Sequence, residues 1–574
     1  MTDKQSAFRI VVSLTVALLL GTGVMGALRA EEREPGYVVK FAPAKQLFEE
    51  GRQLIEDIGM SDALFLIGGY EFQLKRCLDI ERPWGLYGNW EVAGGEPVAC
   101  FPATNPEGLA ELLSLSLGTD WEFDKETQVY SIGEASKNPD YFIKVVGDWC
   151  FGHSQLSALD DFPEDPASWF EVESDELIVA ELHSEQITDE AFQAFIDLAD
   201  EENEALLMFM SPAERRAFEE QNRLENEGLK LLVDASEIIR VSLAVESDSR
   251  ALVTRLALNA RAGQDLTELV AIAQTPTSFP AFATDSLLGL AVSFDFSPDS
   301  VYADSLRLNV RSRLAMLEQQ RGAIGGLPRG TDGYTPFEFP RAVGQAVLDQ
   351  IDEGRFDMGA TLNMAAGGGM PEVLIGVRLN HDALDELEAA TIRFMEYFDE
   401  QAAGALAVKI NAHRTGDVRW HMMEFPVPGA RQLAGQTADV NFGFGDEEFY
   451  LTFGTDPMER FAAISKRNKR LQNQGNGAGE EEAILESQIQ FDVARLLPAP
   501  NDRLSRLRFP RASEDLREGK PFLITGHFDS TPQTVEIEIR IDNAVLHAAG
   551  DQIDEVLETL ESLDPAAGAG APRF

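Results

Sequence analysis

Cysteine, histidine and positive charge are all scarce in this chain. Three cysteines, Cys77, Cys100 and Cys150, occur in 574 residues, and no two form a CxxC pair. That spacing excludes the usual thiolate zinc sites and a dense disulfide framework. An oxidising compartment would allow one disulfide among the three. Spacing selects no pair, and three buried thiols acting as small hydrophobes account for them equally well.

The seven histidines are equally uninformative as ligands, since none lies in HExxH or another zinc spacing. His413 and His421 flank Arg414-Thr415-Gly416-Asp417 and are expected to face each other across a hairpin, the nearest approach to a metal pair. Cys150 and His153 are the one close thiol–imidazole pair, but three positions along a strand put them on opposite faces. Both pairs read as structural. There is no GxSxG elbow. Gly475 to Gly479 and Gly322 to Gly330 lack the lysine of a phosphate loop. Asp160, Asp161, Glu164 and Asp165 do not match the spaced calcium-binding loop and read as a solvated turn. The sequence therefore offers no catalytic, cofactor-binding or metal-binding residue, and the expectation leans away from an enzyme.

Lys and Arg number 48 against 97 Asp and Glu, giving a net charge of −49. Like charge disfavours nucleic acid and anionic membrane surfaces as partners. The acids are spread along the whole chain, as in a solubilising coat. Long apolar runs are missing except one, Ile10 to Leu28, preceded by Lys4 and Arg9. Residues 1–30 read as a signal peptide cleaved after Ala27 or Ala30, the alternative being an uncleaved N-terminal anchor. The protein is expected to be exported, to the periplasm, cell envelope or outside.

What is present is enough apolar material for sizeable cores: 44% hydrophobic residues and 35 phenylalanines. The clearest pattern is Thr525 to Leu563. Val535, Ile537, Ile539 and Ile541 alternate with Glu536, Glu538, Arg540 and Asp542, which is strand periodicity. Ile553, Val556, Leu557, Leu560 and Leu563 then take helical spacing. This hairpin-plus-helix unit recurs at Leu86–Leu117, at Ile238–Ala273 and at Phe356–Phe398. The first and third share Gly-Gly-x-Pro at the turn, Gly94-Gly95-Glu96-Pro97 and Gly368-Gly369-Met370-Pro371. The second and fourth go straight from hairpin to helix. The expected class is α+β, with repeated hairpin–helix modules, antiparallel sheets covered by helices, and tandem duplication of a unit of about 250 residues.

The expected division is signal peptide 1–30, leader and helix 31–60, and a first repeat unit 61–280. The second repeat unit runs over 285–465, a flexible linker over 466–482, its last module over 483–565, and a tail over 566–574. Ala63 to Ile67 is expected as a strand, and Lys466 to Gly479, basic and then Asn/Gln/Gly-rich, as linker. The charged strand face at Glu536–Asp542 is expected to meet solvent, with a helix covering the apolar side.

The acidity, the export signal, the Gly-Asp strand turns and the duplicated hairpin–helix plan together resemble large exported proteins of planctomycete-type bacteria. The resemblance spans most of the mature chain, has no catalytic motif and implies no activity. The expected function is a non-catalytic envelope or extracytoplasmic binding or assembly protein acting on a protein or small-molecule ligand. The alternatives are a carrier for an apolar ligand in a sheet–helix cavity and a hydrolase with a dispersed site.

Overall fold

A computed structural model describes residues 35–551, except 60–63, 90–96, 134–138, 161, 164, 194–195, 198–211, 263–265, 267–271, 285, 324–333, 365–369, 403–405, 427–436, 456, 476–486, 498–509 and 532. The expected signal peptide, the tail and Ile553 to Leu563 lie outside the described residues.

Among the described residues twenty-one strands form one antiparallel sheet. In the first half they are β1 Tyr37–Phe41, β2 Trp84–Gly88, β3 Val98–Pro102, β4 Asp120–Asp124, β5 Val129–Gly133, β6 Tyr141–Val146, β7 Trp149–His153, β8 Glu176–His183, β9 Ser236–Val245 and β10 Leu252–Ala260. After the short β11 Ile272–Gln274 come β12 Leu288–Phe296, β13 Arg355–Asn363, β14 Glu372–Arg378, β15 Ala407–Thr415, β16 Val418–Pro426, β17 Thr437–Phe444, β18 Glu448–Gly454, β19 Ser487–Asp492, β20 Leu523–Ser530 and β21 Thr534–Ile541.

Across the sheet the first half runs β4-β5-β6-β7-β3-β2-β1-β8-β9-β10. The second half runs β15-β16-β17-β18-β14-β13-β12-β19-β20-β21. The two orders match position for position. They meet where β10 pairs with β21, from Leu252↔Ile541 to Asn259↔Thr534. β11 sits beside β19 on the same edge of β12.

The helices keep the same places in both halves. α1 Ala44–Asp57 and α2 Leu64–Leu74 follow β1, and α3 Pro106–Leu117 follows β3. α4 Pro212–Ala235 lies between β8 and β9. In the second half α5 Val301–Ala323 and α6 Glu338–Glu353 follow β12, α7 His381–Gln401 follows β14, and α9 Pro510–Glu518 lies between β19 and β20. α8 Pro457–Gly475 follows β18, where the first half has only the short helix Pro166–Trp169 after β7. Local chemistry explains several boundaries. Asn105 caps α3 by accepting from the Gly108 N–H, Pro106 occupies the first turn, and Gly118 ends the helix at φ +68°. Asn380 caps α7 in the same way, accepting from the Ala383 N–H at 2.7 Å.

Helices cover the front face in both wings. Leu109 and Ala110 of α3 pack on Tyr130, Ile132, Ile143 and Cys150. Leu384, Leu387 and Met395 of α7 and Ala346 of α6 pack on Phe442, Phe444 and Phe449. The back face is closed by other segments. Phe170 packs on Val38, Cys100 and Phe151. Phe461 and Ile464 of α8, with Phe279 and Phe282, pack on Leu374 and Trp420.

Several expectations are corrected. Leu64 to Leu74 is a helix, not a strand, and Glu71 on it pairs with Arg52 of α1 and with Lys75 one turn on. A short apolar run does not distinguish the two states by itself. The expected leader ends before Tyr37, since β1 lies between β2 and β8 inside the sheet. The matched order thus begins at β1 rather than at residue 61. The expected linker is helical as far as Gly475, because Phe461, Ile464, Asn468 and Leu471 fall on one face that packs inward. Residues 476–482 lie outside the described residues. Ala273, expected on a helix, is in β11. β4, whose acidic alternation resembles a loop, was not expected.

Candidate ligand-binding site

The pattern at Val535 to Ile541 produces a strand as expected, yet its apolar side is not covered along its length. Val535 is 5% exposed, beneath Ala235 and Leu232 of α4 together with Leu266 and Leu258. Two and four residues further on, Ile537 is 40% and Ile539 47% exposed. At the far end Ile541 and Ile524 pack against Ala512, Ala544 and Val545. Among the described residues the helices therefore cover both ends of these strands and leave the middle open. The helix expected over this apolar side, Ile553 to Leu563, lies outside the described residues.

The opening continues sideways because cross-strand partners share a face. One row is Val241–Leu256–Ile537–Phe528 on β9, β10, β21 and β20. The next is Leu243–Thr254–Ile539–Gly526–Ile489–Leu290, reaching β19 and β12. Val241 is 39% and Ile489 49% exposed, and Leu288 is exposed beside them. At ~4.8 Å per strand the trough is roughly 24 Å long from β9 to β12. Thr254 is the one hydroxyl in these rows. α4 packs on α5, so the helices of the two halves join. Isolated exposed apolar residues are ordinary, whereas a contiguous patch marks a binding surface.

Charge is confined to the back of the same strands. Arg255 Nε donates to Glu538 Oε2 at 2.8 Å. Arg540 pairs with Glu246, and Arg240 with Glu176 at 2.6 Å. The Ser249 hydroxyl first, and then Arg540, hold the Glu246 carboxyl below its ordinary value. The expected solvent-facing charged side is thus present as a ladder of ion pairs.

No protein-family model, curated protein or solved structure matches this chain. The trough has to be interpreted from its own chemistry.

The residues singled out in the sequence are dispersed. His413 pairs across its hairpin with Trp420, and His421 with Phe442, so the two histidines face opposite sides of the sheet. His421 is fully buried. Its Nδ1 accepts from the Asn411 N–H at 3.1 Å, which leaves Nε2 to donate to Glu388 at 3.0 Å. Glu388 also accepts from Arg419 at 2.7 Å. This is a structural relay, made by a bulge between Lys409 and His413 that the sequence does not announce.

All three cysteines are free and buried. Cys100 lies opposite Phe151 and Cys150 opposite Phe101, so the two thiols point to different faces. Burial pushes the Cys150 thiol up to about 12 and raises Cys77 and Cys100 as well. Such thiols are poor nucleophiles. Asp160 lies 3.4 Å from Lys144, while residues 161 and 164 are outside the described residues. Phe442, Phe444 and Phe449 are core. Among the described residues no group of three His, Cys, Asp or Glu is arranged for a metal ion. No helix among them is long and apolar enough to cross a membrane.

Proposed function

We propose that this chain is an exported, non-catalytic binding protein that holds an elongated apolar ligand in the trough across β9, β10, β21, β20, β19 and β12. The observation carrying this reading is the run of half-exposed Val241, Ile537, Ile539 and Ile489, contiguous on one face and walled at both strand ends. A narrow walled channel suits a long thin apolar molecule better than a flat protein face. The strongly acidic surface favours neutral over anionic ligands.

The matched strand order supports a tandem duplication, with the trough at the seam of the two copies. The apolar run preceded by Lys4 and Arg9 supports export, and the planctomycete-type resemblance agrees with it. N-terminal sequencing of secreted protein should begin at residue 28 or 31.

The ligand test uses the neutral, environment-sensitive probe N-phenyl-1-naphthylamine. Wild-type mature protein is expected to bind it saturably. Ile537→Asn with Ile539→Asn should weaken binding at least about tenfold, given ~1.5–3 kcal/mol per buried aliphatic side chain. Absence of saturable binding, or equal binding by the variant, rejects the reading.

A further inference from the structure

Among the described residues the sheet does not close on itself. Among the described residues β4 pairs only with β5, and β15 only with β16, so each end of the sheet presents a free edge. Open edges are templates for another strand. The two edges carry opposite charge. β4 reads Asp120-Trp121-Glu122-Phe123-Asp124, with its three acids exposed and no base. β15 carries Lys409, His413 and Arg414, all exposed, and no acid.

The geometry of pairing is also compatible. β10 and β21 occupy matching positions and run antiparallel, so the matching edges β4 and β15 run antiparallel too. A second copy placed beside the first in the same orientation therefore meets β15 with an antiparallel β4. The faces agree for two of the bases: Asp120 and Glu122 lie on the back, opposite Trp121 and Phe123, and Lys409 and His413 lie on the back as the partners of Met422 and Trp420, while Arg414 lies on the front beside Arg419. Cross-strand pairs of opposite charge are favourable, and like pairs are not. Joining β4 to β4 or β15 to β15 would oppose like charges.

We infer that this chain associates with further copies of itself by pairing the acidic β4 edge of one with the basic β15 edge of the next. The contact is heterologous, so it propagates as an open chain of sheets rather than closing as a dimer. The bulge between Lys409 and His413 restricts the ladder to short segments, which keeps each contact weak and the assembly concentration-dependent. The copies also repel as wholes at −49 each. Salt of about 0.15 M, with a Debye length of ~8 Å, screens that repulsion while leaving contact pairs in place. This inference is independent of the apolar trough.

The test is sedimentation velocity of the mature full chain at about 0.15 M salt, over a dilution series from the highest soluble concentration. The sedimentation coefficient of the wild type should rise with concentration. Asp120→Lys with Glu122→Lys makes both edges basic, and Lys409→Glu with His413→Glu makes the back of both acidic. Each variant alone should lose association at least about tenfold. An equimolar mixture should regain it, because every β4 then finds an oppositely charged β15. Recovery on mixing also shows that both variants are folded. A monomeric wild type, variants that associate like wild type, or a mixture that stays monomeric overturns the inference.

Discussion

Arg255 and Glu538, 283 residues apart in sequence, meet at 2.8 Å across the β10–β21 seam. This pair joins the two halves where their strand orders meet. Both side chains keep about a third of their exposure, so the contribution is modest. A double-mutant cycle with Arg255→Gln and Glu538→Gln should give a coupling of about 0.5–1 kcal/mol, read from urea midpoints. Zero coupling would mean that backbone pairing and packing alone hold the seam.

Glu246 sets a pH dependence on the same ladder. Its carboxyl is lowered by Ser249 and Arg540, so it contributes stability above the ordinary glutamate value of ~4.3. That contribution is lost as pH falls through the lowered folded value. Between neutral and acidic pH, Glu246→Gln should therefore lose less stability than wild type. Parallel stability curves for the two proteins would contradict this.

Val535 and Ile537 stand on one strand and one face, yet only Val535 is covered. Val535→Ala should cost about 1–3 kcal/mol. Ile537→Ala should stay within about 0.5 kcal/mol, as for other exposed substitutions. Thermal unfolding of the two variants separates an open trough from a covered one.

Gly359 and Gly376 lie directly beneath aromatic rings. A Cβ at Gly359 would stand 2.5 Å from Phe279 Cβ, and one at Gly376 would stand 2.6 Å from Phe279 Cε1. Gly359→Ala and Gly376→Ala should each destabilise by about 1–3 kcal/mol through overpacking. Unchanged melting would show that Phe279 moves aside freely.

The three thiols should resist Ellman's reagent at pH 8 in the folded protein and react together in denaturant. Their folded values are raised by burial, so the protonated state persists well above the ordinary thiol range. Rapid labelling of native protein would require an opening of the β3–β7 region.

Most of the strands and the α+β class were legible, because period-2 alternation and turn residues such as Gly147-Asp148 and Gly445-Asp446 are local signals. α3 is legible down to its caps, because Asn105, Pro106 and Gly118 are residue types that start and stop helices. The misreadings share a cause, namely that the deciding partner is distant in sequence. Leu64 to Ile67 looks extended until Arg52 is seen against Glu71 on the resulting helix. Lys466 to Gly475 looks like linker until Phe461, Ile464 and Asn468 are placed against Phe279 and Ala281. The merging of all strands into one sheet depends on the β10–β21 register, and no local pattern encodes it. The trough was hidden for the same reason. Ile537 and Ile539 have the same periodicity as Val535, and only the course of α4 decides which of them is covered.

The position of the seam also constrains how the molecule is made. β10 is complete by residue 260, but its partner β21 begins at residue 534. During synthesis the first half therefore carries an unpaired interior edge while more than two hundred further residues emerge. Contacts of such long sequence separation form slowly. A chain that stops short of β21 would leave Leu252 to Ala260 exposed as a sticky border. Holding that border apart until the C-terminal strands arrive is a task for whatever accompanies the chain before it folds.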